Sequence, residues 1–295
     1  MDSLTLLNNI KASKFLLKGK KIISGNTRRQ RFLKNNKLNF NPIIFKNFTV
    51  KIAQSNFEIK KAQHLRYQIF FKNKKDINKP INNLLKRDFD FYDKISDHII
   101  IIDNNINNNE NVVGTYRLLR GNFAKICKGF YTEQEFDISN LKKHFSNSNM
   151  LELGRSCVHP DYRSGIILKL LWQGISNYIN DYKIKILFGC ASFHGTDPKK
   201  FRNEFNLLRK NFCLCDDFNV KSLQKSSIHF QKLHDEKMVF KNLPPLIKGY
   251  LRAGGMLSRD YFIDKEFNTI DFCVVVFTDR IVNRYKNKFL HKFNY

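Results

Sequence analysis

A chain of 295 residues with 42% hydrophobic content can bury the core of one elaborated domain or of two. Its formal charge of +26, from 52 Lys+Arg against 26 Asp+Glu, admits nucleic acid, an anionic membrane surface or an acidic protein as partners. No apolar run approaches the roughly 18–20 residues of a membrane span, no secretory cleavage pattern is legible, and the six cysteines form no CxxC pair, which argues against zinc or a disulfide framework and for a reducing cytosol.

Residues 1–47 read as a basic extension. Leu7, Ile10 and Leu17 recur at roughly helical spacing, and Arg28-Arg29-Gln30-Arg31 follows, a pattern that suits either a helix lying on a membrane surface or a disordered basic arm. From residue 48 to 295 the pattern is that of one domain. Phe48 to Ile52 alternates like a strand, and Glu58 to Phe71 predicts a helix with Ile59, Ala62, Leu65 and Ile69 on its buried face. Arg66 and Phe70, four apart, share a neighbouring face. His98 to Asp103 is an apolar strand, Asn104 to Asn111 a turn, and Val112 to Leu119 the returning arm of a hairpin. Further strands are expected over Leu151–Val158, Ile184–Phe193 and Phe272–Phe277, with helices over Ile166–Tyr178 and around Ser222–Met238. These elements predict an α/β (α+β) architecture, a mixed central sheet flanked by helices.

The most informative stretch is Leu151 to Gly165: a strand ends near Pro160, and a basic loop, Tyr162-Arg163-Ser164-Gly165, leads into an apolar helix. A strand, loop and helix N-terminus in that order make a phosphate site, because free backbone N–H groups and the helix dipole converge there. Gly165 lets the N–H groups of Gly165, Ile166 and Ile167 approach a phosphate, with Arg163 adding charge. Glu152 and Arg155, three apart, point to opposite faces in a regular strand; a bulge at Gly154 brings both to one side. The plainer reading of that pair is an exposed ion pair. Cys157 and His159 beside it raise a covalent acyl-cysteine route, though i, i+2 spacing at a strand end is easily chance. His98 and Trp172 are most simply structural.

Val158-x-Pro160-x-Tyr162-Arg163, followed by Gly165 and the helix, resembles the pantetheine-phosphate loop of the GNAT acyltransferases. Leu65-Arg66-Tyr67-Gln68-Ile69-Phe70, Asp90 and Asp93, Gly114-Thr115-Tyr116-Arg117-Leu118-Leu119 and Glu152-Leu153-Gly154-Arg155 resemble the motif set of acyl-homoserine-lactone synthases. A closer likeness, over about residues 48–280, is to the ornithine-lipid N-acyltransferases, the hemolysin-like GNAT group. It runs through Tyr92 to His98, Gly129 to Asp137, Leu151 to Gly165, Phe188 to Pro198, Leu243 to Arg252 and Phe267 to Asp271.

The resemblance implies a GNAT-like fold with a C-terminal elaboration, and an N-acyltransferase that moves a long (3-hydroxy)acyl chain from acyl carrier protein to the α-amine of ornithine. It implies no permanently bound cofactor and no metal. The donor is the phosphopantetheine arm of acyl carrier protein, with a CoA thioester as the alternative, held by Arg163, Ser164, Gly165, Ile166 and Ile167. Glu152 is the candidate base and Arg155 its catalytic partner or the holder of the substrate carboxylate. Arg66, Phe70, Asp90, Asp93 and Arg117 are then expected to bind substrate, the aspartates by meeting a cationic side chain or by ordering their loop. Acidic carrier proteins and an anionic membrane both suit the charge, which places the protein in the cytoplasm, peripheral to the inner face of the cell membrane. Specific nucleic-acid binding is not expected, since the basic residues are spread along the chain, and a coding bias toward Lys, Asn, Ile and Phe competes as the source of the excess. An acyl-homoserine-lactone synthase, or a GNAT enzyme acting on a different amine, is the alternative.

Overall fold

Four consecutive isoleucines, Ile99 to Ile102, leave no polar face on their strand, a pattern tolerated only where both sides of a sheet are covered. The computed structural model, which describes residues 40–71, 80–107, 110–226 and 235–281, shows how they are covered. Strands β1 (Ile43–Phe45), β2 (Phe48–Ile52), β3 (Asp97–Asp103), β4 (Val112–Arg120), β6 (Met150–Val158), β7 (Ile186–His194), β11 (Thr269–Phe277) and β10 (Phe262–Asp264) follow one another across a single sheet. β9 (Met256–Leu257) also pairs with β11. The short strands β5 (Phe136–Asp137) and β8 (Lys221–Ser222) pair separately.

Helix α1 (Asn56–Phe70) starts at a capping box: the Ser55 side chain accepts from the Glu58 N–H, and Glu58 reaches back to the Ser55 N–H. Its Ile59, Ala62 and Leu65 pack on Ile100, Val112 and Cys157 on one face of the sheet. Helix α2 (Ile166–Tyr182) covers the other face. Gly174 lets its backbone settle onto Val50 and Ile99, where an added Cβ would sit 3.1 and 3.4 Å from their side chains. Alternation along β3 therefore sends Ile100 to α1 and Ile99 to α2. Helices α3 (Arg202–Asn211) and α4 (Pro245–Arg252) complete the C-terminal part.

Most predicted elements stand with ends moved by a few residues; the helix expected to stop at Tyr178 runs on to Tyr182. Two readings change. β1 lies within the stretch taken as extension and pairs with β2, so the folded unit begins at Phe40, and only residues 1–39 of the expected extension lie outside the described residues. The helix expected around Ser222–Met238 is absent at its start, where Lys221–Ser222 is a strand; at its end a helix does run, from Glu236 to Asn242. Residues 227–234 lie outside the described residues.

One feature of the sheet matters for chemistry. β6 and β7 run parallel, but they pair only over Met150–Glu152 and Ile186–Phe188, although both continue to Val158 and His194. Beyond that point the sheet forks. At its base the Leu153 carbonyl presses on Gly189, where an added Cβ would come within 2.2 Å of the oxygen. Because backbone is the obstacle, Gly189→Ala is expected to force the strands apart and cost about 1–3 kcal/mol. A thermal melt followed by circular dichroism reads this out, and an unchanged melting temperature excludes it.

Candidate active site

The bulge predicted in β6 is present, one residue later than expected. Thr115 pairs with Cys157 and Arg117 with Gly154, so Arg155 and Ser156 together face the single residue Tyr116. The residue with left-handed backbone is Arg155 itself, at φ 52°, and not Gly154. A side chain in that conformation costs on the order of 1 kcal/mol. Charge holds it there.

Arg155 Nε lies 3.2 Å from Asp88 and Nη2 donates to Asp90 at 3.1 Å, while the guanidinium is sandwiched by the rings of Tyr131 (4.8 Å) and Phe267 (4.6 Å). Arg66, wholly buried, donates to Asp88 at 2.8 Å and forks onto Asp93 at 2.7 and 3.1 Å. Arg117 donates to both oxygens of Asp90 at 2.7 Å. Three arginines and three aspartates thus interlock. Although burial alone would raise them, the surrounding guanidiniums hold Asp90 and Asp93 below the usual carboxylate range.

Asp90 and Asp93 neutralise Arg66, Arg117 and Arg155, and Asp90 also orders its own loop, accepting from the Tyr92 and Asp93 N–H groups. Arg66 and Arg117 are likewise committed to aspartates. Phe70 reaches the site indirectly, edge-on to Phe267 at 6.2 Å. His98 is buried, with Nε2 3.2 Å from the Asp93 carbonyl, as expected of a structural histidine. Trp172 stacks edge-on with Tyr250.

Glu152 and Arg155 are not the exposed ion pair of the plainer reading: both side chains are largely buried and no ion pair joins them among the described residues. The Glu152 carboxylate, 4% exposed, accepts from the Tyr131 N–H at 2.9 Å, the Thr132 N–H at 2.6 Å and the Thr132 hydroxyl. Burial pushes its pKa up; the Thr132 bonds and the Arg117 charge pull against this without cancelling it. A buried carboxylate with a raised pKa is a stronger proton acceptor than an exposed one. It sits at the base of the fork, paired with Phe188 of β7.

At the far end of β6 the loop has the geometry of an anion site. Gly165 caps α2 in left-handed conformation, φ 93°, with no side-chain cap on the first turn and open space for 4 Å around the point where a Cβ would stand. The N–H groups of Ile166 and Ile167 are therefore unclaimed by a cap, as a phosphate requires. Arg163 and Ser164 flank them, exposed, and the Tyr162 hydroxyl pins the loop to Asp103 at 2.8 Å. Cys157 stands apart from this chemistry: burial pushes its thiol up to about 12, so little thiolate exists at neutral pH. We expect Cys157→Ala to keep turnover within about threefold, whereas a covalent route demands its loss; a steady-state assay decides.

Sequence reasoning missed Asp88, Tyr131, Thr132 and Phe267. The run Asp88-Phe-Asp90-Phe-Tyr-Asp93 carried a signal, three acids in six residues. Tyr131 and Thr132 become visible only when the chain folds the 130–135 turn over β6, and Phe267 only when the turn between β10 and β11 brings its ring to Arg155.

The acetyltransferase (GNAT) domain family matches residues 65–173, from the middle of α1 to the first turns of α2. With its forked parallel strands and its uncapped helix after β6, the chain is an acyltransferase of the GNAT fold. It belongs to the L-ornithine N(alpha)-acyltransferase family. It is 37% identical to the member from Brucella abortus (strain 2308) over 242 residues, 80% of this chain and 86% of that one. It is 36% identical to the member from Rhizobium meliloti (strain 1021) over 247 residues, 82% and 83% of the two chains. The likeness to solved structures is looser: the acyl-homoserine-lactone synthase LasI superposes with a TM-score of 0.43 at 13% identity, over 78% of this chain and 89% of that one.

Proposed function

We propose that the protein transfers a long (3-hydroxy)acyl group from the phosphopantetheine thiol of acyl carrier protein to the α-amine of ornithine, giving lyso-ornithine lipid. The observation that carries the reading is the 37% identity, over 80% of the chain, to a relative named for N(alpha)-acylation of ornithine. The donor arm runs from a phosphate at Gly165, Ile166 and Ile167, flanked by Arg163 and Ser164, into the fork between β6 and β7. Glu152, directly or through a water, takes a proton from the α-ammonium. The freed amine attacks the thioester carbon; the C–N bond forms, the tetrahedral oxyanion is met by a backbone N–H of the bulge, and the C–S bond breaks as the thiolate leaves and takes up the second proton that the attacking nitrogen gives up. Arg155, fixed by Asp88 and Asp90, turns its remaining N–H groups to the substrate carboxylate. Arg66, Phe70, Asp90, Asp93 and Arg117 act by holding Arg155 and its flanking rings in place.

The net charge of +26 favours an acidic carrier protein and an anionic membrane face as partners. No helix among the described residues is long and apolar enough to cross a membrane, so attachment to the inner face of the cell membrane is peripheral in this reading. Mass spectrometry of the full chain mixed with 3-hydroxyacyl carrier protein and a pool of amino acids is the test. An N-acyl-ornithine peak supports it. A different N-acyl amino acid corrects the substrate, and activity confined to acetyl-CoA overturns it.

A further inference from the structure

Above the fork lies a second group of carboxylates for which neither the charge network nor the proposed chemistry has a use. Glu135, Asp264 and Asp271 are 3%, 9% and 4% exposed, and one oxygen from each lies within 4.8 Å of the others. The sheet register explains how they meet. Asp264 pairs with Thr269 across β10 and β11; Asp271 is two residues further along the same face, opposite Ser192 of β7. Glu135 comes from the turn that also carries Tyr131 and Thr132, its N–H donating to the Thr132 carbonyl at 3.1 Å. Asp264 Oδ1 accepts from the N–H groups of Glu266 and Phe267, so it fixes the turn that lays the Phe267 ring over Arg155.

Three buried side-chain oxygens around this point make no well-formed hydrogen bond among the described residues: Glu135 Oε2, Asp271 Oδ1 and the hydroxyl of Thr269, itself 5% exposed; the Ser192, Thr269 and Glu135 side chains approach Asp271 closely enough to lower its pKa but leave these atoms without good geometry. Buried polar atoms in that state cost stability unless a ligand meets them. Burial and the Asp271 charge push Glu135 up to about 9, and burial with the Asp264 charge pushes Asp271 up to about 6 against the pull of the Ser192, Thr269 and Glu135 side chains, as happens when acids are packed together without a counter-cation. The missing partner is a cation with several donors. An alkylammonium carries three N–H donors and no acceptor, which matches three such oxygens. A hard divalent ion asks for six or more oxygens, and is a poorer match.

Position supplies the rest. On β7 the Glu152 row, at Phe188, and the Asp271 row, at Ser192, are four residues apart, about 13 Å at ~3.3 Å per residue. Strand alternation places both side chains on the same face of the sheet. We propose that Glu135, Asp264 and Asp271, with the Thr269 hydroxyl, seat the side-chain ammonium of a diamino-acid acceptor and so set its distance and orientation from Glu152. The inference rests on the ornithine reading and deepens it: one amine is held at the cluster as a cation, and only the other, at the fork, is deprotonated and acylated. That division explains how a substrate with two amines is acylated at one.

The test compares ornithine with norvaline, which has the same carbon chain without the second amine, as acceptors for the full-length protein and for Asp271→Asn and Glu135→Gln. The ratio of kcat/KM for ornithine over norvaline is expected to fall by about 10–100-fold in each variant, the scale of a lost hydrogen bond to a charged group. Folding is checked independently: the melting temperature of both variants without ligand should match or exceed that of the parent, since Asp271→Asn removes a charge from a buried group of acids and Glu135→Gln replaces a carboxyl already protonated near neutral pH, while the rise in melting temperature on adding ornithine should disappear. An unchanged ratio, or a stoichiometric divalent ion retained by the parent through dialysis and lost in Asp271→Asn, overturns the seat while leaving ornithine acylation intact. A parent protein that acylates norvaline but not ornithine overturns the ornithine reading itself, and the two failures are distinct.

Discussion

Asp93→Ala is expected to lower the melting temperature by about 6–20 °C, from a loss of about 3–5 kcal/mol on stranding a buried charge and about 2–4 °C per kcal/mol for a domain of this size. The carboxylate receives the two forked bonds of Arg66, the Gln63 amide at 3.2 Å and the Asp90 N–H at 3.1 Å, so its removal leaves a wholly buried guanidinium with Asp88 alone. The same site sets a direction for acid unfolding. A carboxylate whose folded pKa is depressed contributes stability that is fully present above the unfolded value, near 4, and is lost as pH falls through the folded one. Asp93 and Asp90 are both depressed, so the parent protein should lose stability progressively below about pH 4. Asp93→Ala should start lower and fall less steeply in that range. Melts at pH 3, 5 and 7 test both; a variant as stable as the parent at pH 7 removes Asp93 from the network's supports.

Such a network is a costly way to gain stability, because desolvating six charges consumes most of what their attraction returns. What it delivers is position. Asp88 and Asp90 pin the Arg155 side chain, and through it keep an arginine in a backbone conformation that glycine would adopt more readily. Arg66 and Arg117 hold those aspartates in turn. The fold therefore spends an ion lattice to place one guanidinium between two rings beside the fork.

How much of this could be read from sequence follows from where each feature gets its information. The isoleucine run of β3 and the apolar stripe of α1 are local periodicities, and both elements formed where the pattern put them. The glycine of the phosphate loop is a local backbone requirement, and Gly165 does have positive φ. The bulge was placed in the right strand on the wrong residue. Glycine is the cheaper choice there, but the conformation is decided by aspartates that arrive from some 65 residues earlier, at Asp88 and Asp90. The partners of Asp90 and Asp93 were equally out of reach: a run of acids looks the same whether it meets a ligand or three buried arginines. Glu135 lies far along the chain from Asp264 and Asp271 and is joined to them only by strand register and one turn. Glu135 and Asp271 fell in conspicuous strings, Gly129–Asp137 and Phe267–Asp271, and Asp264 in none, and no spacing rule relates the three.

The second large effect is on chemistry. Glu152→Gln is expected to lower kcat by about 10²–10⁴-fold, the range for loss of a general base. The amide keeps one oxygen to accept from the Tyr131 or the Thr132 N–H but turns its NH2 to the other, so a stability loss of about 1–3 kcal/mol comes with it. A purely positioning role for Glu152 predicts the same stability loss with turnover of the folded protein close to normal. Thr132→Val separates the two further. The Thr132 hydroxyl donates to the Glu152 carboxylate and lowers its pKa, against the upward push of burial. Removing that donor must raise the pKa of Glu152, and a base has to be deprotonated to act. The acidic limb of log kcat/KM against pH should therefore move to higher pH in Thr132→Val and vanish in Glu152→Gln. A limb that stays where it was in Thr132→Val assigns the proton transfer to another group and leaves Glu152 as the tether of the turn.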